Sequence, residues 1–355
     1  MRVLNSNQNK KFVLRKENDM KELKINIQLF AAGDVVNSTT SENLSAEMKT
    51  FYDKTLITLA SPYLVHDQFG QKRDIPKNGG KIIEFRKFSS LPKALTPLTE
   101  GVTPTGNKLN VSAVSATVEQ YGDYIEQTDM LELTAVDNTI VEATKQLASQ
   151  AGLTMDTIVR NEIVGGTNVL YCPKVANGVE TEVTSRSAID NTALLRVKDV
   201  FKAAAELKAM NAPKIDGYYV GIIHPYVAYD LMQEAGNQWM EVQKYATPEN
   251  MLKGEIGCLG GVRFVESTEA KIWNEGANGC AVFATLIIGA DAYGVTSVNG
   301  GGVEHIVKQK GYGNDPLNQR SSVGWKGLKT AKRLVEEYLI RIDSGSAFSA
   351  TAKAN

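Results

Sequence analysis

An α+β fold built on one long helix, with a projecting β-hairpin and an inserted second domain, is what the sequence predicts. Three observations point there. Apolar residues recur at 3–4 spacing from Val136 to Ile163, well beyond an ordinary globular helix. Residues 66–118 are dense in Pro and Gly, alternate in strand fashion and hold too few apolar residues for a core. Helix and strand signals then restart at Asn191 and run to Gly300-Gly301-Gly302, after which strand character returns. At 355 residues the chain exceeds what one core usually supports, so two domains or one with long excursions are expected.

Residues 1–24 hold seven Lys/Arg against three acids, and an apolar stretch follows at Ile25–Ala32. Asn26 and Gln28 interrupt it, and it is too short for a secretory h-region, so a short strand or an arm over 1–45 is predicted. Residues 1–19 show no apolar periodicity and are expected to be absent from, or mobile in, the mature chain. Ser/Thr/Asn-rich 34–45 reads as a linker. Met48, Phe51, Tyr52, Leu56 and Leu59 give a helix within 46–65, closed by Pro62. The extended hairpin occupies 66–118, with Lys81–Phe88 strand-like. Val111–Ile125 is β-rich and leads to the long helix at about 136–164, stopped by Gly165-Gly166. At about 1.5 Å per residue it spans roughly 40 Å, the length of a spine.

Residues 166–190 read as loop. Asn191-Thr192 suggests a cap for a helix with the stripe Val197, Val200, Phe201, Ala204 and Leu207. Tyr218–Ile223 reads as a strand, Pro225 opens a helix ending near Gly236, and Thr247-Pro248-Glu249 marks another helix start. Gly261–Glu266 and Cys280–Gly289 are strand-like, and Leu334–Ile342 carries Leu334, Tyr338, Ile340 and Ile342 on one face. The tail 344–355 is small and polar, and is expected to be flexible.

Chemistry is sparse. Cys172, Cys258 and Cys280 are odd in number and lack CxxC spacing, which excludes a disulfide framework and a standard zinc site. No nucleotide-binding, nucleophile-elbow or zinc-protease motif occurs. Gly257-Cys258-Leu259-Gly260-Gly261 reads as a turn between a short helix and a strand. His224 beside a thiol is the one enzyme-like pairing; a structural histidine at a strand end is the competing reading. Glu126/Asp129/Glu132 and Glu336/Glu337 sit among polar neighbours and read as solvated faces. No apolar run approaches the roughly 20 residues of a membrane span. A net charge of -1 argues against sequence-specific nucleic-acid binding.

Charge distribution says more than any motif. Residues 66–110 carry eight Lys/Arg against four acids, whereas 119–162 carry nine acids against two bases. A positive arm and a negative spine suggest subunit-to-subunit clasping, with Lys81, Arg86, Lys87 and Lys93 facing Glu126, Asp129 and Glu132 of a neighbour. The competing reading is intrachain, because 305–341 holds eight Lys/Arg against three acids.

The run IPKNGGKIIEFRKFSSLPKALTPLTEGVTPTG (Ile75–Gly106) resembles the extended loop of tailed-bacteriophage major capsid proteins. QYGDYIEQTDMLEL (Gln120–Leu133), SSVGWKGLKTAKRL (Ser321–Leu334) and INIQLFA (Ile25–Ala31) resemble segments of the same family. The resemblance covers roughly 25–343. It implies an N-terminal arm, an extended loop (66–118), a peripheral domain with the spine helix (119–190 and 303–343) and an axial domain (191–302). It further implies a non-enzymatic shell protein of the virion, assembled in the host cytoplasm without cofactors, metal or membrane. Hexamers and pentamers would close an icosahedral head around double-stranded DNA, contacted non-specifically, with a portal and a separate scaffolding protein as partners. Relatives begin near the INIQLFA-like segment, so residues 1–19 depart from the pattern. A cellular nanocompartment shell of the same fold and a cytoplasmic α/β enzyme are the alternatives.

Overall fold

The computed structural model describes residues 64–355 apart from 89–90, 104, 135–138, 242–251, 253 and 299–301. The arm expected over 1–45, the helix within 46–65 up to residue 63, and the Thr247-Pro248-Glu249 cap lie outside the described residues. A two-residue strand, β1 (Gln71–Lys72), precedes the hairpin formed by β2 (Ile82–Phe88) and β3 (Val111–Thr117). These pair antiparallel from Ile82↔Thr117 to Phe88↔Val111. Strand alternation turns Phe85 inward and leaves Ile82, Glu84 and Arg86 in solvent.

The chain passes almost directly into β4 (Glu119–Thr128), a short helix α1 (Asp129–Thr134) and the long α2 (Thr139–Val164). The buried stripe of α2 is Ala143, Leu147, Ala148, Ala151, Met155, Val159 and Ile163, the periodicity read from sequence. Its small residues matter because bulk there would hold the helix off the sheet beneath it. Residues 166–190, expected as loop, contain three short strands, β5 (Val169–Tyr171), β6 (Lys174–Ala176) and β7 (Val179–Thr181).

The next helix, α3 (Val197–Ala209), starts later than the Asn191-Thr192 cap predicts. The Asp190 carboxylate accepts from Thr192 N at 2.9 Å and from Thr192 Oγ1 at 2.6 Å, which spends that threonine on a turn. Arg196 caps the helix instead, its N–H donating to Asp199 at 3.2 Å. The inward stripe is Val200, Ala203, Ala204 and Leu207, while Phe201 faces solvent.

Strand β8 (Tyr219–Ile223) and helix α4 (Pro225–Ala235) fall where the sequence places them. The remaining strands are β9 (Met240–Glu241), β10 (Glu255–Leu259), β11 (Val262–Glu266), β12 (Ile272–Trp273), β13 (Val282–Ile288), β14 (Tyr293–Thr296), β15 (Glu304–Lys308), β16 (Arg320–Arg333) and β17 (Leu339–Ser344). The Gly257–Gly261 run is therefore not a helix-to-strand turn. It lies in a β10–β11 hairpin whose turn residues Gly260 and Gly261 take φ of +63° and +85°, open to glycine at low cost.

Two sheets share α2. In the first, the fourteen-residue β16 pairs with β4 from Arg320↔Thr128 to Lys329↔Glu119 and with β15 on its other side. Farther along, β16 pairs with β14, which pairs in parallel with β1. Leu147, Ala148, Ala151 and Met155 of α2 pack on Val323 and Trp325 of this sheet. A Cβ at Gly122 would stand 2.5 Å from the Trp325 carbonyl oxygen, so that strand crossing needs glycine. The second sheet runs β5-β17-β13-β8-β11-β10-β9, with β12 on β13. All seven residues of β13 are buried, as two-sided cover requires. Helices α3 and α4 cover one face, and Val159 and Ile163 at the C-terminal end of α2 cover part of the other.

Strand β17 pairs with β13 and β5 in this second sheet, although sequence order attaches it to the stretch containing β16. Its six residues are all buried, and only a sheet covered on both faces accommodates that. The last residues, expected as a flexible tail, are instead tied down. Ser346 Oγ donates to Asp230 at 2.7 Å, Ala281 N donates to the Ala350 carbonyl at 2.8 Å, and the Asn355 side chain accepts from Ile272 N at 3.0 Å. Small residues lack their own apolar periodicity, but they fit closely against an existing surface and form backbone bonds there.

Candidate subunit interface

The hairpin is fixed at its root and on one face of its strands, while its loop stays exposed. His66 and Asp156 are fully buried, and the Asp156 carboxylate accepts from His66 N at 2.7 Å and pairs with His66 Nδ1 at 2.6 Å. Tyr293, also buried, donates its hydroxyl to the His66 carbonyl. Next in the chain, Asp67 pairs with Lys329 of β16 at 2.5 Å and with Lys72 at 3.5 Å. Phe69 and Ile75 are buried, and Ile75 N donates to the Ser297 carbonyl at 2.9 Å. Residues 66–75, expected within the projecting hairpin, thus belong to the body. These contacts join positions far apart in sequence, so periodicity could not announce them.

Beyond this root one face of the hairpin strands meets the body: Phe85, Ala116 and Val118 are buried, and Lys87 stands 3.6 Å from Glu337. The Phe85 ring lies where Gly294 has no side chain: a Cβ there would stand 2.7 Å from the ring and 3.4 Å from Leu334. A cavity of about 210 Å³, lined by Gln71, Phe85, Arg86, Val114, Leu334 and Val335, opens beside this contact. Phe85 is the largest buried side chain of that face, which Ala116 and Val118 continue. Past β2 the loop residues from Leu91 to Asn110 are exposed wherever they are described.

The four hairpin bases predicted as interface residues are all exposed. Lys87 stands 3.6 Å from Glu337, whereas Lys81, Arg86 and Lys93 make no ion pair among the described residues. On the acidic side, Glu126 lies 3.6 Å from Arg320 and Glu132 lies 2.8 Å from Lys310. Asp129 makes no ion pair among the described residues, and its carboxylate accepts from Met130 N at 2.8 Å. Within one chain, then, none of the hairpin bases meets these acids, and two of the acids are engaged by the 305–341 bases. Asp123, on the same strand as Glu126, has its carboxyl held below the usual range, chiefly by the Gln150 amide at 2.6 Å.

The residues with enzyme-like potential are spent on structure. His224 caps α4, its Nδ1 accepting from Tyr226 N at 3.2 Å, and burial lowers its pKa to about 4. It packs 4.9 Å from the Phe283 ring and 4.8 Å from Tyr226. Cys172, Cys258 and Cys280 are buried, and burial raises each thiol above its ordinary value, which disfavours the thiolate. Among the described residues no group of three His, Cys, Asp or Glu could hold a metal, and no helix is long and apolar enough to cross a membrane.

The sequence reading missed a set of exposed apolar side chains. Helix α1 buries none of its residues, and Met130, Leu131 and Leu133 all face solvent. Tyr312 and Leu317, in the turn between β15 and β16, do the same. Their signal was present as DMLELT and GYGNDPLN, but periodicity cannot say whether a six-residue helix has a covered face.

Residues 65–325 match the family profile described as phage capsid protein. The fold resembles the capsid of Ralstonia phage GP4 with a TM-score of 0.64 at 15% identity, covering 81% of this chain and 90% of that one. It resembles the capsid of Cyanophage P-SCSP1u with a TM-score of 0.58 at 16% identity, covering 80% and 88%. The SrpI encapsulin from Synechococcus elongatus PCC 7942 is also similar, with a TM-score of 0.51 at 8% identity, covering 81% and 90%. No curated protein sequence matches.

Proposed function

The chain belongs to the phage capsid protein family and is a major capsid protein of the virion shell, and on that premise we propose how it assembles. Copies join as hexamers and pentamers that close an icosahedral head around double-stranded DNA. The protein acts by lattice formation and catalyses nothing. A separate scaffolding protein directs assembly, a portal occupies one vertex, and the packaged DNA is touched without sequence preference. The functional parts are an arm before residue 46, the loop at 76–118, a peripheral portion built on α2 and the β16 sheet, and an axial portion built on the β13 sheet with α3 and α4.

The observation that supports this assembly is the hairpin itself. It meets the body through Phe85, Ala116 and Val118, bears Lys81, Arg86 and Lys93 without an ionic partner among the described residues, and cannot bury the surface of its loop. Asp129 on a neighbouring copy is its readiest counter-charge, while Glu126 and Glu132 would exchange partners to join. Each exposed pair is worth only about 0–1 kcal/mol and is screened by salt, but repetition around a closed lattice multiplies it. Electron microscopy of the purified chain, with and without a co-expressed scaffold, tests the reading: closed shells support it, and small fixed oligomers under every condition refute it. Arg86→Glu with Lys87→Glu should leave a folded subunit that assembles poorly. Adding Glu126→Lys and Asp129→Lys in the same chain should restore part of the yield. Unfolding of the isolated charge-reversed subunit would make the contact intrachain.

A further inference from the structure

We infer that Asn177, at the tip of the β6–β7 hairpin, is a site of spontaneous deamidation, a covalent modification that goes beyond the shell reading and does not rest on it. Asn followed by Gly occurs at three places among the described residues: Asn78-Gly79, Asn177-Gly178 and Asn278-Gly279. A fourth pair, Asn299-Gly300, lies outside them. In such a pair no Cβ shields the backbone nitrogen that follows the asparagine, so this nitrogen can reach the side chain. Giving up its proton, it attacks the asparagine Cγ. The bond from Cγ to the side-chain nitrogen breaks, ammonia leaves with that proton, and a five-membered succinimide closes. Water then opens the ring. Cleavage of the new Cγ–N bond leaves aspartate; cleavage of the backbone C–N bond leaves isoaspartate, with one extra carbon in the main chain.

The fold separates the three pairs. Gly79 N donates to the Pro76 carbonyl at 2.9 Å, and buried Ile75, bonded to the Ser297 carbonyl, pins that turn to the body. Gly279 N donates to the Gly276 carbonyl at 3.0 Å. Its turn is tied down by Ala277 N to the Ile189 carbonyl at 2.7 Å and Gly276 N to the Cys280 carbonyl at 3.1 Å. At both places the attacking nitrogen is engaged and its segment is held. Gly178 N, by contrast, makes no hydrogen bond among the described residues. Every residue from Ala176 to Glu182 is exposed, and a Cβ on Gly178 would meet nothing within 4 Å. Asn177 and Gly178 take φ of +52° and +79°, as a two-residue hairpin turn requires. The strands pair only from Lys174↔Thr181 to Ala176↔Val179 and join no other sheet. So small a two-stranded sheet is marginal in water, and its tip opens readily to the geometry that ring closure needs. The ion pairs of Lys174 with Asp190 and of Glu180 with Lys198 hold the strands and leave the two turn residues free. Conversion adds a carboxylate to a hairpin that already carries Glu180 and Glu182, and the isoaspartate carbon lengthens a turn built for two residues.

The test incubates the full folded chain in mildly alkaline buffer made with heavy-oxygen water, which marks each conversion as it happens, and follows it by peptide mass spectrometry. Trypsin releases Val175–Arg186, in which Asn177 is the one side-chain amide, so an amide-to-carboxyl mass change there belongs to that residue. A second protease supplies peptides carrying Asn78 and Asn278, and chromatography separates the aspartate from the isoaspartate products. In the folded chain Asn177 should convert faster than either of the others by about ten-fold or more, roughly what one retained hydrogen bond is worth. In urea, where no fold protects any of the three, the rates should converge. Gly178→Ala should suppress conversion at Asn177 and leave Asn78 and Asn278 unchanged. Conversion at Asn177 no faster than at the other two in the folded chain overturns the inference. So does the same order of rates persisting in urea, which would place the preference in the neighbouring residues rather than in the fold.

Discussion

Replacing Asp156 by alanine tests the idea that the hairpin is held at its root. The carboxylate is fully buried and takes two bonds from His66, at 2.7 Å from the backbone N–H and 2.6 Å from Nδ1. Alanine leaves both groups buried without an acceptor. At about 1–3 kcal/mol for each unsatisfied buried group, the loss is about 2–6 kcal/mol, against a typical total of 5–15 kcal/mol. The side chain of Arg160, itself buried, loses a nearby negative charge as well, which pushes in the same direction. Asp156→Asn keeps one acceptor and should lose about half as much. Urea denaturation measures the total, and native-state hydrogen exchange shows where it is felt. Amides of residues 68–75 should open well below the global unfolding energy in the alanine variant. Leu147→Ala, a cavity in the same helix costing about 2–5 kcal/mol, should not open that segment selectively. A loss under about 1 kcal/mol, or uniform acceleration of exchange along the chain, would refute the reasoning.

Gly294→Ala places a Cβ 2.7 Å from the Phe85 ring, and overpacking of that kind costs about 1–3 kcal/mol. A lower melting temperature and misshapen shells are expected, and Phe85→Ala in the same chain should relieve the clash. His224 has a folded pKa of about 4 against an ordinary 6.5, so the unfolded chain takes up the proton first. Its contribution to stability is complete above about pH 6.5 and is lost as pH falls toward 4, by at most about 3 kcal/mol. His224→Asn keeps a capping side chain and should flatten that part of the pH–stability curve, with unfolding free energy measured from pH 7 to pH 4. Ala at Cys172, Cys258 and Cys280 together should reduce the melting temperature yet leave assembly intact, because all three thiols are buried inside the subunit. A triple variant that folds but forms no shells in electron micrographs would expose a role that burial conceals.

The sequence by itself determined whatever depends on local repetition. The 3–4 spacing from Ile140 to Ile163 specified a helix whose buried stripe is the one observed, because a helix presents a single face at that period. Continuous apolar runs such as VFATLII marked strands, and the Pro/Gly-rich stretch after Phe88 marked a segment without a core. Local signals misled where a side chain had another use, as when Asp190 drew Thr192 into a turn and moved the helix start to Val197. Only the tertiary structure decided which strands share a sheet, since β17 and β16 alike are extended and part-apolar, but β17 alone is buried throughout. It also decided the fate of the charges. Glu126 met Arg320 and Glu132 met Lys310 because β4 and β16 align over ten residue pairs, bringing the acids of one stretch beside the bases of the other. The pairing of His66 with Asp156 has the same origin: a hydrogen bond forms wherever the fold brings donor and acceptor together, and no local period encodes a partner ninety residues away.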